Sequence, residues 1–473
     1  MIRHNAKFIA FLLIAYPISA CTGPATRIDP RTMTFPALSF TVPKSERFLL
    51  DNGMIVYLMT DHELPVVNLT AYLNVGSLYE PEGKVGLARL TGAVMRSGGT
   101  QQTQVEKLDA ELEFMASAIE SSIGSDMGNV SLTTLKKNLP RTLELFGQVM
   151  MQPVFREDRV LLAKKRTIEG LRRQDDDPKA IAGRELIRAL YEGHPLARVP
   201  TIESVTAITR DDMLAFHKRY CLPNNAMLAV SGDIDRDELL RILGTVFNGW
   251  QRGEVVFPAI DPPRTELKPA VLFAHKDVNQ SVIRIGGLGI EKSNPGLYAV
   301  RVMDYILGSG FASRLTKEIR SNEGLAYNAA SYFDVGRRFV GTFWAETETK
   351  SESTVKVISL MRQIITNMTT AAVSDQELSL AKDAIINSFI FGFTRPDAVV
   401  NQQARLEFFG YPPGYLDNYR DNIAKVTKED VLRTAQKYLK PDALSLMVVG
   451  DEKKFDRPLS IFGQVKEIKV EIK

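Results

Sequence analysis

Gly86-Leu87-Ala88-Arg89-Leu90-Thr91-Gly92-Ala93-Val94-Met95-Arg96-Ser97-Gly98-Gly99-Thr100 is the stretch from which the rest of the chain can be read. It is a helix stopped by Ser97-Gly98-Gly99, and it contains no imidazole, thiol or carboxylate. The pattern before it is strand, turn, strand: Phe48-Leu49-Leu50, the hairpin signal Asp51-Asn52-Gly53, then Met54-Ile55-Val56-Tyr57-Leu58. Residues 66–75 form a further strand, ending in Gly76-Ser77 before the turn Glu80-Pro81-Glu82-Gly83. Downstream lie a helix over 105–115, strand-like alternation over 118–132 and amphipathic helices over 140–151 and 158–174. Asp175-Asp176-Asp177-Pro178 then caps a helix that runs to about Leu190.

The second half of the chain repeats the first. Ile208-Thr209-Arg210-Asp211-Asp212-Met213-Leu214 is matched by Val426-Thr427-Lys428-Glu429-Asp430-Val431-Leu432. Arg219-Tyr220 matches Lys437-Tyr438, Pro223 matches Pro441, and Val230, Gly232 and Asp233 match Val448, Gly450 and Asp451. Every pair shares an offset of 218 without a gap. A shared helix–Pro turn–strand unit would not by itself fix Tyr, Pro, Gly and Asp together, so the register marks an internal duplication. The Pro-rich segment 251–269 separates an N-terminal half, 47–250, from a C-terminal half, 270–473. Hairpin-like strands followed by helices in each half predict an α+β fold: two homologous halves, each a mostly antiparallel sheet with helices packed on one face, together forming a clamshell.

At 473 residues the chain is long enough for two full cores, and its 44% apolar share is ordinary for a globular protein. Its formal charge of +3 falls to +1 when residues 1–20, with Arg3 and Lys7, are removed. Such a chain has no electrostatic footprint for nucleic acid. Two cysteines, Cys21 and Cys221, exclude a disulfide framework. Residues 1–20 have a basic start, a short apolar run and an Ile18-Ser19-Ala20 ending before Cys21. This resembles a bacterial lipoprotein signal, which implies lipid attachment at Cys21, a membrane contact through that lipid and a place in the periplasm or cell envelope, on the outer membrane because Thr22 and not Asp follows. The alternative is an ordinary secretory signal cleaved near Ala20. Residues 21–46 then form an exposed tether.

Taken in order, Asp51-Asn52-Gly53, Val75-Gly76-Ser77-Leu78-Tyr79-Glu80, Gly86-Leu87-Ala88, Gly193-His194-Pro195-Leu196, Leu307-Gly308-Ser309-Gly310-Phe311-Ala312-Ser313-Arg314-Leu315 and Gly324-Leu325-Ala326-Tyr327 resemble the pitrilysin/insulinase family of metallopeptidases. The closest likeness is to its two-domain subunits similar to mitochondrial processing peptidase. Family members carry His-x-x-Glu-His on the helix after Gly-Leu-Ala, two imidazoles and a general base on one face. Here those positions hold Arg89, Gly92 and Ala93. The family's third ligand falls on Glu169, a lone carboxylate that does not hold zinc. The remaining histidines of the mature chain, His62, His194, His217 and His275, include no pair at i, i+4. The expectation is therefore a chain with no catalytic residue and no metal of its own.

The resemblance also implies what remains. In the family an Arg and a Tyr at the spacing of Arg320 and Tyr327 bind the substrate backbone from the C-terminal half. The alternative pairs Arg320 with Glu318 or Glu323 and buries Tyr327. Edge residues 118–123, where the family adds substrate as a strand, carry Glu120 where the usual residue is Asn. The expected function is a non-catalytic, substrate-binding subunit whose partner is a homologue carrying His-x-x-Glu-His and the zinc, acting on extended peptides. The alternative function is a non-enzymatic peptide-binding or assembly scaffold.

Overall fold

Strands rich in apolar residues, the central ones buried on both faces, build two six-stranded sheets, one in each half. The computed structural model describes residues 39–266 and 268–470. The leader, Cys21 and the tether up to residue 38 lie outside the described residues, and 39–46 are described. The chain divides into two units, 1–40 and 41–473, and both sheets belong to the second.

The first sheet contains β1 (Glu46–Leu49), β2 (Ile55–Thr60), β3 (Val66–Leu73), β4 (Ala118–Ile123), β5 (Gly128–Leu135) and β6 (Ala226–Gly232). Their order is β1-β2-β6-β3-β5-β4, antiparallel throughout except where β2 meets β6. The second half contributes β7 (Val271–His275), β8 (Gln280–Leu288), β9 (Ile290–Glu291), β10 (Ala329–Phe333), β11 (Val335–Gly336), β12 (Thr342–Lys350), β13 (Ser445–Gly450) and β14 (Val465–Glu467). Apart from the small β9–β11 pair, they align as β14-β7-β13-β8-β12-β10, the same winding over five strands, with β14 parallel to β7 at the edge where β1 runs antiparallel to β2. The duplication holds to the residue in the best-matched region. Helices Arg210–Tyr220 and Lys428–Tyr438 differ by the offset of 218, and each starts with a Thr–Asp capping box, Thr209–Asp212 and Thr427–Asp430. Tight turns then begin at Pro223 and Pro441, and β6 and β13 end at Gly232 and Gly450.

Each half covers one sheet face with its own helices, as the patterning predicts. Val56, Leu58, Leu69 and Val230 face the helices of the first half, and Ile283, Ile285, Leu446 and Val448 face those of the second. The opposite faces are covered by exchange. Helix Pro178–Leu190 of the first half lies on the second sheet, with Ile181, Ala182 and Leu186 against Leu272, Val282, Met447 and Val449. Helix Pro396–Phe408 of the second half lies on the first sheet, with Val400 and Ala404 against Tyr57, Tyr72 and Ala229. Both helices start at Pro, and their starts are again 218 residues apart. Polar contacts fix the register. Tyr72 Oη donates to Asn401 Oδ1 at 2.6 Å, Arg47 donates twice to Glu407 at 2.7 Å, and Tyr57 Oη also donates to Glu407. Tyr191 Oη donates to the Val340 carbonyl at 2.7 Å on the other side.

The described residues of segment 251–269 form no helix or strand, but Phe257 anchors the segment by stacking on Tyr220 at 5.5 Å and packing on Tyr79 at 4.7 Å. Among the described residues, no helix is long and apolar enough to cross a membrane.

The exchange makes a thermodynamic prediction. Leu186 is fully buried under the second sheet, so Leu186→Ala should lower stability by about 2–5 kcal/mol. The two tryptophans, Trp250 and Trp344, sit one in each half. Single-tryptophan variants Trp344→Phe and Trp250→Phe should report coincident urea transitions. Two separated midpoints would show that the halves unfold independently.

Candidate functional site

The helix Leu87–Ser97 is placed by its N-terminus. Gly86 takes φ +108°, a left-handed conformation that favours glycine, and turns the chain into the helix. Glu80 then satisfies two amides that the helix leaves open: its carboxylate accepts from Gly86 N at 3.0 Å and Ala88 N at 2.7 Å. Burial pushes the Glu80 carboxyl up to about 7, although the Ala88 and Gly86 amides and the charge of Arg198 pull the other way. The family motif residue Glu80 is thus a structural cap.

The helix buries Leu87, Leu90, Val94 and Met95, which leaves Arg89 and Ala93 exposed on its outer side and Gly92 pressed on the sheet. A Cβ on residue 92 would lie 2.3 Å from the backbone nitrogen of Ile123 in β4. Ser121 of β4 reinforces this contact: its Oγ donates to the Gly92 carbonyl at 2.7 Å and accepts from Arg96 N at 3.2 Å. Glu169 on helix Glu157–Arg172 is exposed and accepts from Arg172 at 2.6 Å. A guanidinium, a bare backbone and a methyl group supply no zinc donor, and there is no room for a glutamate at 92. The residues present do not fit the metal.

None of the described histidines offers a substitute site. His217 is buried and bonded to the Met150 carbonyl at 2.9 Å, with its pKa lowered to about 4 by burial. His194 Nδ1 accepts from Leu196 N at 3.1 Å, in a turn packed edge-on against Phe339. His62 meets Asp233 at 2.6 Å, and His275 meets Glu452 at 2.6 Å. His275, Asp451 and Glu452 converge on one point, but the ammonium of Lys454 already lies 3.0 Å from Asp451. The equivalent Asp233 is likewise paired, with Lys136 at 2.9 Å, so the feature belongs to the duplicated fold. Cys221 is buried, and burial pushes its thiol up to about 12.

In the second half, Arg320 and Tyr327 come together. Arg320 lies in the turn Thr316–Asn322, wound as a π-helix, and a second π-turn, Tyr305–Ser309, opens the Leu307–Leu315 motif. Such widened turns recur at functional sites. Tyr327 lies two residues before β10, not within a strand, and is 85% exposed. The Arg320 guanidinium stands 5.0 Å from the Tyr327 ring and 5.9 Å from that of Phe311, which is 83% exposed. The acids that could have neutralised it are engaged elsewhere. Glu323 pairs with Lys356 at 2.7 Å, and Glu318 accepts from Asn322 at 2.6 Å. The alternative of a paired Arg320 and a buried Tyr327 is therefore not what the chain adopts. Arg314 of the same motif is structural. It holds Glu377 by two bonds at 2.7 and 3.1 Å, which together with the Ser374 amide outweigh burial and keep that carboxyl at about 2.

Two features were missed from sequence. Phe311 stood inside a quoted motif without a role, and its signal was an aromatic beside Gly310 with no apolar partner in register. The other is a cleft of about 540 Å3 between helices Leu87–Ser97 and Glu157–Arg172, lined by Arg89, Arg159 and Arg166. Arg159 and Arg166 are seven residues apart, two helical turns on one face.

Residues 55–201 match the model of the insulinase family, peptidase family M16, and residues 207–385 match that of the peptidase M16 inactive domain. A protein of Mycobacterium leprae described as an uncharacterized zinc protease is 25% identical over 403 residues, covering 83% of this chain and 89% of its own. The non-peptidase homolog YmxG of Helicobacter pylori is 23% identical over 401 residues, covering 83% and 91%. The crystal structure of a peptidase M16 inactive domain from Pseudomonas fluorescens superposes with a TM-score of 0.79 at 25% identity, covering 86% of this chain and 98% of that one.

Two measurements probe this geometry. Gly92→Ala should destabilise by about 1–3 kcal/mol in urea unfolding, because β4 must move. The combination Arg89→His, Gly92→Glu, Ala93→His should not acquire stoichiometric zinc by elemental analysis. For Glu80, the folded pKa of about 7 lies above the ordinary 4.5. Its contribution to stability is complete below pH 4.5 and is lost as pH rises through 7. Wild type should therefore lose more stability between about pH 5 and 8 than Glu80→Gln; equal slopes would contradict the assignment.

Proposed function

Because this chain belongs to the insulinase family, peptidase family M16, and its family helix offers no metal donor, we propose that it is the substrate-binding, non-catalytic subunit of a two-component peptidase of the cell envelope. The observation that carries the reading is Arg320, an uncompensated guanidinium held between two exposed aromatic rings. A guanidinium presents fixed donors to peptide carbonyls, and the Tyr327 hydroxyl can donate to an oxygen that gains charge. Neither group hydrolyses a bond alone. A homologous partner bearing His-x-x-Glu-His would supply the metal and the base, and this chain would hold the extended backbone. Recognition through main-chain carbonyls would leave side-chain selectivity loose. The envelope location rests on the lipoprotein-like residues 1–20 and Cys21.

A second reading has its own support. An exposed Arg flanked by Phe311 and Tyr327 is also the composition of a protein-interface anchor, and one relative is named a non-peptidase homolog. In that case the chain is an assembly or peptide-holding scaffold.

Mixing the chain with a zinc-motif homologue from the same genome distinguishes them. The mixture should cleave unfolded peptides that neither protein cleaves alone, and Arg320→Ala in this chain should reduce kcat/KM by about 100-fold, as loss of a donor to a developing charge does elsewhere. Stable association without any gain in cleavage would favour the scaffold. Full activity with Arg320→Ala would remove the proposed role of the pair.

A further inference from the structure

The cleft at the former metal position has the wrong sign for a cation and the right one for an anion. Arg89, Arg159 and Arg166 line it, and no carboxylate does. Arg159 is tied to Glu106 at 3.2 Å, and its buried Nε has no hydrogen bond but lies 3.7 Å from the Asp158 carboxylate, so it is the most compensated of the three. Arg89 and Arg166 are exposed and enter no ion pair among the described residues. Three guanidinium groups around one cleft repel one another, and an anion seated among them relieves that repulsion while accepting charge-assisted, forked hydrogen bonds.

The rest of the cleft narrows the choice of anion. Leu162, Leu171, Val199 and Pro200 form an apolar wall beside the arginines. An inorganic ion would use the arginines and leave this wall wet. A carboxylate next to an aliphatic side chain uses both.

We propose that this cleft is a carboxylate-binding subsite for extended peptides, taking an acidic residue or a chain terminus with its aliphatic neighbour against the Leu162–Leu171 wall. The inference rests on the peptide-holding reading above and adds a preference to it: loss of the metal ligands has left a site that selects acidic peptides. Helix Leu87–Ser97 connects the subsite to the sheet, since the helix that presents Arg89 is bonded through Gly92 to the edge strand β4.

The test uses the full chain and two labelled peptides that differ only by Glu against Gln beside a Leu. Fluorescence anisotropy should give binding about tenfold tighter for the Glu peptide at low salt, the gap closing as salt screens it. Arg89→Ala combined with Arg166→Ala should abolish the gap and leave the Gln peptide's affinity unchanged. Arg166→Lys, which keeps the charge and loses the fork, should fall between. Equal affinities for the two peptides, or a preference that survives the double substitution, would overturn the proposal. If neither peptide binds, the peptide-holding reading fails, and thermal denaturation with succinate or inorganic phosphate decides the cleft itself. Stabilisation of wild type by succinate, absent in the double variant, supports a carboxylate site without the peptide. No stabilisation, or a larger effect of phosphate, overturns it.

Discussion

The exchange of two helices is the constraint on which this molecule depends. A sheet with one face on its own helices leaves the other face apolar, and here neither half can cover that face from its own sequence. Tyr57, Tyr72 and Ala229 pack against Val400 and Ala404 of the other half, and Met447 and Val449 against Ile181, Ala182 and Leu186. The Pro-rich segment 251–269 therefore joins two halves already committed to each other. Relative motion of the halves on the scale of a hinge would strip these faces, so the chain offers a fixed frame on which its exposed groups are carried.

On that frame the duplicated architecture has been used unevenly. The N-terminal half keeps the helix, its Glu80 cap and its glycine entry, but carries Arg89, Gly92 and Ala93 at the motif positions and only Glu169 of the family's donor set. The C-terminal half keeps an Arg and a Tyr, holds them in the open and adds Phe311 beside them. Arg320 pairs with neither nearby glutamate and lies between two rings, whereas Arg314, a few residues earlier, is held by Glu377. The two arginines of one motif are told apart by their partners, not by their spacing.

Much of this was legible in the chain. Hydrophobic alternation and the turn signals placed the strands, and the gapless 218-residue register predicted two equivalent halves, since local rules act the same way on similar sequence. The substituted metal positions could be read directly, because a missing donor is a property of residue type. The exchange was not legible. Helices 178–190 and 396–408 carry apolar faces that periodicity reveals, but periodicity does not say which sheet they meet, and the partner lies hundreds of residues away. The cationic cleft escaped for the same reason: Arg89 and the pair Arg159 and Arg166 belong to separate helices, and only packing brings them together. Tyr327 falls in the loop before β10, which begins at Ala329, a placement that spacing alone does not give.

The contact between Gly92 and β4 sets what the helix can accept. With no side chain at that position, the edge strand lies directly on the helix backbone and is secured by Ser121. The space a glutamate would need there is filled by main chain. Any larger residue at 92 forces the strand to withdraw, so replacement is cheap only on the outward-facing side of the helix, at Arg89 and Ala93.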